Sequence, residues 1–150
     1  MGAHILGDFR TQPHCELPES YFTGRDCWVD CRAPDMLHIS RDCNIGWEAR
    51  LVCQSHNPMP GKFGDVTARS IIIRPKAFIA GFATLYNCEI GEGSVVALGA
   101  VVRSRIVPPW VIVEGNPARI VSSFDHVLGK WVEVPGESGL GENLPMRHRR

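Results

Sequence analysis

The 150-residue chain carries six histidines and six cysteines, the side chains best suited to moving protons near neutral pH or to holding a metal. Cys15, Cys27, Cys31, Cys43, Cys53 and Cys88 form no C-x-x-C pair, and the closest spacing is Cys27-x-x-x-Cys31. Free buried thiols are therefore expected, with no metal site and no disulfide framework. Among the histidines, His4, His14, His126 and His148 lie outside any regular pattern, and His38, between Leu37 and Ile39, is expected to point outward. A single histidine is most often a surface or structural residue. His56 stands apart by position: it ends a regular stretch and opens Asn57–Arg69, a segment with two prolines and two glycines. A neutral imidazole near its reference pKa is well matched to taking a proton from a hydroxyl, so a histidine at such an interruption is a candidate general base.

The regular stretch has a period of six. Ile73, Ile79 and Leu85 follow one another at six residues, Ile90 comes after a five-residue step, and Val96 and Val102 resume the six. Two residues before each stand Ile71, Ala77, Ala83, Cys88, Ser94 and Ala100, five of them small. The same grid runs upstream through Ile39, Ile45 and Leu51, preceded by Leu37, Cys43 and Ala49. Six is neither the 3.6 of a helix nor the alternation of a hairpin, and two packed sheets would not impose one spacing on two separate segments. Hexapeptide periodicity predicts an all-β fold, a left-handed parallel β-helix, with the aliphatic residues inside and the small ones at the corners. Gly46, Gly91 and Gly99 are expected at tight turns with positive φ. The coil around Leu85–Ile90 reads as one residue short, and Arg103–Val107 as one residue long.

Sixteen basic and sixteen acidic residues balance, which gives no reason to expect nucleic acid or a charged membrane surface as partner. No apolar stretch approaches a membrane span, and MGAHILGDFR lacks the features of a signal peptide, so a cytoplasmic location is expected. The expected organisation is an N-terminal lead-in (1–27), a β-helix domain (28–121) with an excursion at about 57–69, and a C-terminal extension (122–150). Pro108-Pro109 stops the repeat. A short helix or strand is expected near Phe124–Val134, and a mobile end from Pro135 onward.

The hexads, the Ser55-His56-Asn57-Pro58 element, and the closing Val107-Pro108-Pro109-Trp110 with Gly115-Asn116-Pro117-Ala118-Arg119 resemble the hexapeptide-repeat acyltransferases. Within that superfamily the chain is most similar to the sugar O-acetyltransferases of the galactoside, maltose and colanic-acid-biosynthesis type. The resemblance covers roughly residues 30–121. It implies a homotrimer, with acetyl-CoA as co-substrate bound between neighbouring β-helices, a small sugar or saccharide precursor as acceptor, and no metal. It implies His56 as the general base, with direct attack of the acceptor hydroxyl on the thioester. Asp30 and Asn57 then fall on the acceptor side, and Gly81, Leu98, Arg103 and Arg119 on the CoA side. Taken without the resemblance, Asp30 and Gly81 read equally as turn residues, and Arg103 and Arg119 as solvated charges. Glu114 stands where the family has Ala, beside the expected phosphate site. Three alternatives remain open at this point: an N-acyltransferase on an amino sugar, a non-catalytic trimeric β-helix module, and a zinc protein like the γ-class carbonic anhydrases.

Overall fold

The computed structural model describes residues 21–24, 26–31 and 36–138. Every regular element there is a strand, and no helix occurs among the described residues. The strands β1 (Tyr21–Thr23), β2 (Trp28–Asp30) and β3 (Leu37–Ile39) start three separate sheets, A, B and C. Next, β4 (Cys43–Ile45) pairs parallel to β1, and β5 (Arg50–Val52) pairs parallel to β2. The chain then leaves the sheets for a two-stranded excursion, β6 (Gln54–His56) and β7 (Val66–Ala68), before β8 (Ile71–Ile73) pairs with β3. Two further rounds follow: β9 (Phe78–Ile79), β10 (Thr84–Tyr86), β11 (Cys88–Ile90), then β12 (Val95–Val96), β13 (Val101–Arg103), β14 (Ile106–Val107). The chain thus visits A, B and C in rotation, each strand pairing parallel to the one a round earlier.

The hexad grid explains this architecture. In sheet A the interior row is Ile45, Ile79, Val96 and Val113; in B it is Val29, Leu51, Leu85 and Val102; in C it is Ile39, Ile73, Ile90 and Val107. All of these side chains are buried. Like residue lies on like residue, and each buried branched aliphatic contributes about 1.5–3 kcal/mol through area removed from water. The small positions Cys43, Ala49, Ala77, Ala83, Cys88, Ser94 and Ala100 are buried beside them. A larger side chain there would overfill the narrow interior.

Two expectations about the corners need correction. Successive partners Ile79, Val96 and Val113 are 17 residues apart each time, because the corner from B to C is short in both rounds. Asn87 (φ 48°) and Ser104 (φ 51°) turn it almost alone, so Arg103–Val107 is short, not long. Of the three turn glycines only Gly99 has positive φ. Gly46 and Gly91 are required by close approach instead: a Cβ on Gly46 would lie 2.5 Å from the Gly81 nitrogen, and one on Gly91 2.4 Å from that of Pro109. The left-handed corner positions are held largely by Asp26, Asp42, Glu48, Lys76, Phe82 and Trp110. That conformation costs a non-glycine residue roughly 1–2 kcal/mol, and the coils above and below impose it.

After β15 (Val111–Gly115), again parallel in sheet A, the direction reverses. β16 (Ala118–Asp125) and β17 (Lys130–Ser138) add antiparallel to the same sheet, so the segment near Phe124–Val134 is strand, turn and strand, with the turn at residues 126–129. Trp110, Phe124, His126 and Trp131 stack edge to face or tilted, with centroids 5.0–5.9 Å apart. β17 runs through Ser138. The remainder of the expected mobile end, and residues 1–20 of the lead-in, lie outside the described residues, while β1 within 1–27 already pairs with β4.

Candidate active site

The excursion starts one strand earlier than the sequence suggests, directly after Val52. Cys53 donates its amide to the Asp30 carbonyl (2.8 Å), and Arg69 donates its amide back to the Cys53 carbonyl (2.7 Å), which closes the root. From there β6 and β7 pair antiparallel in the register Gln54–Ala68, Ser55–Thr67 and His56–Val66. The tip is held by its own turns: the Asn57 amide donates to the Asp65 carbonyl, and the Lys62 amide to that of Met59, each at 2.9 Å. Asn57 Oδ1 accepts from the Met59 amide at 3.0 Å, an Asx-type turn. His56 therefore sits at the outer end of a hairpin and is exposed on the single chain, rather than lying at a corner of the coil.

One contact defines the chemistry of its ring. His56 Nδ1 lies 2.8 Å from the Phe63 carbonyl oxygen. A carbonyl only accepts, so in the neutral imidazole Nδ1 carries the proton and donates it, and Nε2 is left with its lone pair. The loop thus supplies the orienting group, which holds ring and tautomer together. No residue type announces it, since a main-chain carbonyl belongs to every position.

Asp30 lies on the outward face of sheet B and meets the hairpin through Gln54, whose Nε2 donates to Asp30 Oδ2. Along the same outward row the register is Asp30, Val52, Tyr86 and Arg103. Three strand spacings separate its ends, about 14 Å. Arg103 stacks over the Tyr86 ring at 5.8 Å, and Arg69 Nε donates to the Tyr86 hydroxyl at 3.2 Å. The outward position of Tyr86 was legible: like Asp30 and Arg103, it directly follows an interior aliphatic of sheet B.

Gly81 and Leu98 occupy the opposite edge of sheet B, at its corner with A. Leu98 is 67% exposed, beside Trp47 (58%) and Phe82 (47%), an apolar stripe down that corner. The rings of Trp47 and Phe82 meet at 5.5 Å, and a Cβ on Gly81 would be 2.9 Å from Trp47 Nε1. The Gly81 carbonyl accepts the Gly99 amide at 3.0 Å. Arg119 lies elsewhere again, on β16, paired across strands with Glu114. Its Nη1 donates to the Ala118 carbonyl at 3.0 Å, and it lines a cleft of about 640 Å³ with Glu114, Ser122 and Glu133. Two carboxylates beside one guanidinium weaken that cleft as a phosphate site. A single chain therefore joins Asp30 through Gln54 to the hairpin of His56 and Asn57, keeps Arg103 at the far end of the Asp30 row, and leaves Gly81, Leu98 and Arg119 elsewhere.

Among the described residues Cys27, Cys31, Cys43, Cys53 and Cys88 are buried thiols, and loss of solvation pushes that of Cys88 up to about 12. Among the described residues no cluster of three or more His, Cys, Asp or Glu side chains is arranged to hold a metal ion. None of the described segments forms a helix long and apolar enough to cross a membrane.

No protein-family model matches the chain. A hexapeptide-repeat acetyltransferase of Vibrio cholerae, solved with acetyl-CoA, superposes with a TM-score of 0.62 at 27% identity, over 76% of this chain and 67% of that one. The chain's structural neighbours are hexapeptide-repeat acetyltransferases. A maltose O-acetyltransferase from Clostridium difficile shares the fold at a TM-score of 0.66 and 19% identity, over 72% of this chain and 58% of that one. In sequence, a Staphylococcus aureus protein provisionally named an acetyltransferase is 39% identical over 62 residues, 41% of this chain. Those residues span only 28% of that relative's length. The likeness to the hexapeptide-repeat acetyltransferases matches the repeat in the coils.

Proposed function

We propose that the protein is an acetyl-CoA-dependent O-acetyltransferase acting on a hydroxyl of a sugar or saccharide precursor in the cytoplasm. Its coils wind as a left-handed parallel β-helix, a reading supported by the six-residue period and by the acetyltransferase neighbours. The observation that carries the chemistry is the Nδ1-to-Phe63 hydrogen bond. His56 Nε2 takes the proton of the acceptor hydroxyl as its oxygen attacks the thioester carbonyl. The imidazolium stays bonded to the Phe63 carbonyl while the tetrahedral oxyanion collapses. His56 then returns the proton to the departing CoA sulfur, so the ring ends as it began and no acyl-enzyme forms. Asp30, tied to the same hairpin through Gln54, accepts from the sugar in this reading.

The CoA side needs a second chain. His56 is exposed, and the stripe of Trp47, Phe82 and Leu98 lies on another corner of the same coil. In a homotrimer the hairpin of one copy faces this stripe on the next. The stripe supplies an apolar wall for the pantetheine arm, with Arg103 along the groove. Arg119 is the weakest of the expected contacts, given its two acidic neighbours.

The test is release of CoA thiol from acetyl-CoA with a panel of sugar and amino-sugar acceptors. Wild-type protein is expected to turn over with a hydroxyl acceptor, and His56→Ala to lose about 10²- to 10⁴-fold in kcat. Full activity in His56→Ala sinks the mechanism. Light scattering that finds an active monomer sinks the shared groove.

A further inference from the structure

Gln54 has a feature that the transfer chemistry as described does not use. It lies two residues before His56 on β6, so by strand alternation both side chains leave the same face of the hairpin. Its Nε2 is committed to Asp30 Oδ2. Its Oε1 is the one buried side-chain polar atom with no hydrogen-bond partner among the described residues. Rotating the amide would not help, because Oε1 would then face a carboxylate, acceptor against acceptor. A buried orphan acceptor is costly, because it gives up its hydration and gains no bond in return. That cost is tolerated at the point where sheet B meets the root of the hairpin, which is already fastened through main-chain bonds at Cys53 and Arg69. The root does not need the amide for its own closure. Its bond to Oδ2 instead ties Asp30 to the strand that carries the histidine.

We infer that Gln54 is a positioning residue for the acceptor: its amide locks the Asp30 carboxylate to the His56 hairpin, so that sugar-binding group and base keep a fixed separation. This rests on the reading of His56 as base and Asp30 as acceptor contact. The bond spans two elements that the fold could otherwise let move independently, because among the described residues the hairpin strands pair only with each other beyond the root. Fixing two reacting partners in advance lowers the orientational cost of the acceptor's approach. The apolar stripe of Trp47, Phe82 and Leu98, on a different corner, does not feel it.

The experiment is steady-state kinetics on the full chain with both substrates varied, beside thermal melting. Gln54→Glu replaces the donor by a carboxylate and sets two acceptors face to face. It is expected to raise KM for the sugar about tenfold or more, the loss of a hydrogen bond to a charged group, with KM for acetyl-CoA within about twofold. The double exchange Asp30→Asn with Gln54→Glu restores an amide-to-carboxylate bond with donor and acceptor interchanged. Its melting temperature is expected to recover while KM for the sugar stays high, because the carboxylate has moved to the wrong strand. Recovery of both together would mean that the bond is only structural, and overturns the inference. So does an unchanged sugar KM in Gln54→Glu when His56→Ala has lost turnover. Wild-type protein silent with every acceptor instead overturns the transferase reading, and the inference with it.

Discussion

The coils and the excursion are built on opposite principles. Each strand of a middle coil is two or three residues long, yet it is bonded to a strand on either side and carries buried aliphatic residues inward. The excursion strands are as long, but among the described residues β6 and β7 pair only with each other, and Met59, Phe63 and Val66 are exposed. An isolated two-stranded ribbon is marginal in water. Here it is held by its root, by its turns and by the bond between His56 and Phe63. Stability is therefore concentrated where there is no chemistry, and the candidate base sits where there is little stability.

The sharpest way to break this contrast is a crossed pair of substitutions. Leu85→Ala, in the middle of sheet B, is expected to cost about 2–5 kcal/mol, read as a large fall in melting temperature. His56→Ala is expected to leave melting nearly untouched, as exposed substitutions do within about 0.5 kcal/mol, while removing turnover. A His56→Ala protein that melts like Leu85→Ala would show that hairpin and coil are one unit. Hydrogen exchange probes the same boundary more gently. The amides of residues 54–68 should exchange much faster than those of residues 71–107, because the hairpin can open without unfolding the coils. Equal protection would erase the distinction.

The last expected effect shows only at alkaline pH. Burial raises the thiols of Cys27, Cys43 and Cys88, the last to about 12. Their folded pKa values exceed the unfolded ones, so the folded state holds more protons and stability falls as pH rises. The loss begins near the unfolded thiol pKa, about 8.5, and for Cys88 continues to about 12, at up to about 1.4 kcal/mol per pH unit. Cys88→Ala is expected to flatten the decline in urea midpoint across that window. An unchanged slope would mean that the coil interior admits water.

The interior was legible in the sequence because stacking makes it periodic: Ile73 predicts Ile79, and each aliphatic announces its small partner two residues earlier. The corners were only half legible. Asn87 and Ser104 can each turn the chain almost alone, and nothing in their type separates that from a longer bend, so the last short corner reads as a long one. The excursion was visible as an interruption, but its strands were not. Gln54–His56 and Val66–Ala68 are too polar and too short to alternate. Within the candidate site, His56 was found by position, whereas Gln54 depends on meeting Asp30 24 residues away. Fold contacts of that kind leave no local trace.

The reversed strand β16 has a consequence for the end of the stack. A column of parallel strands has no intrinsic last member, and its terminal edge invites another molecule's coil to dock in the same direction. In sheet A that edge is occupied by a strand running the other way, with β17 beyond it. In sheet A the C-terminal ribbon therefore takes the place where a further parallel layer would otherwise pair.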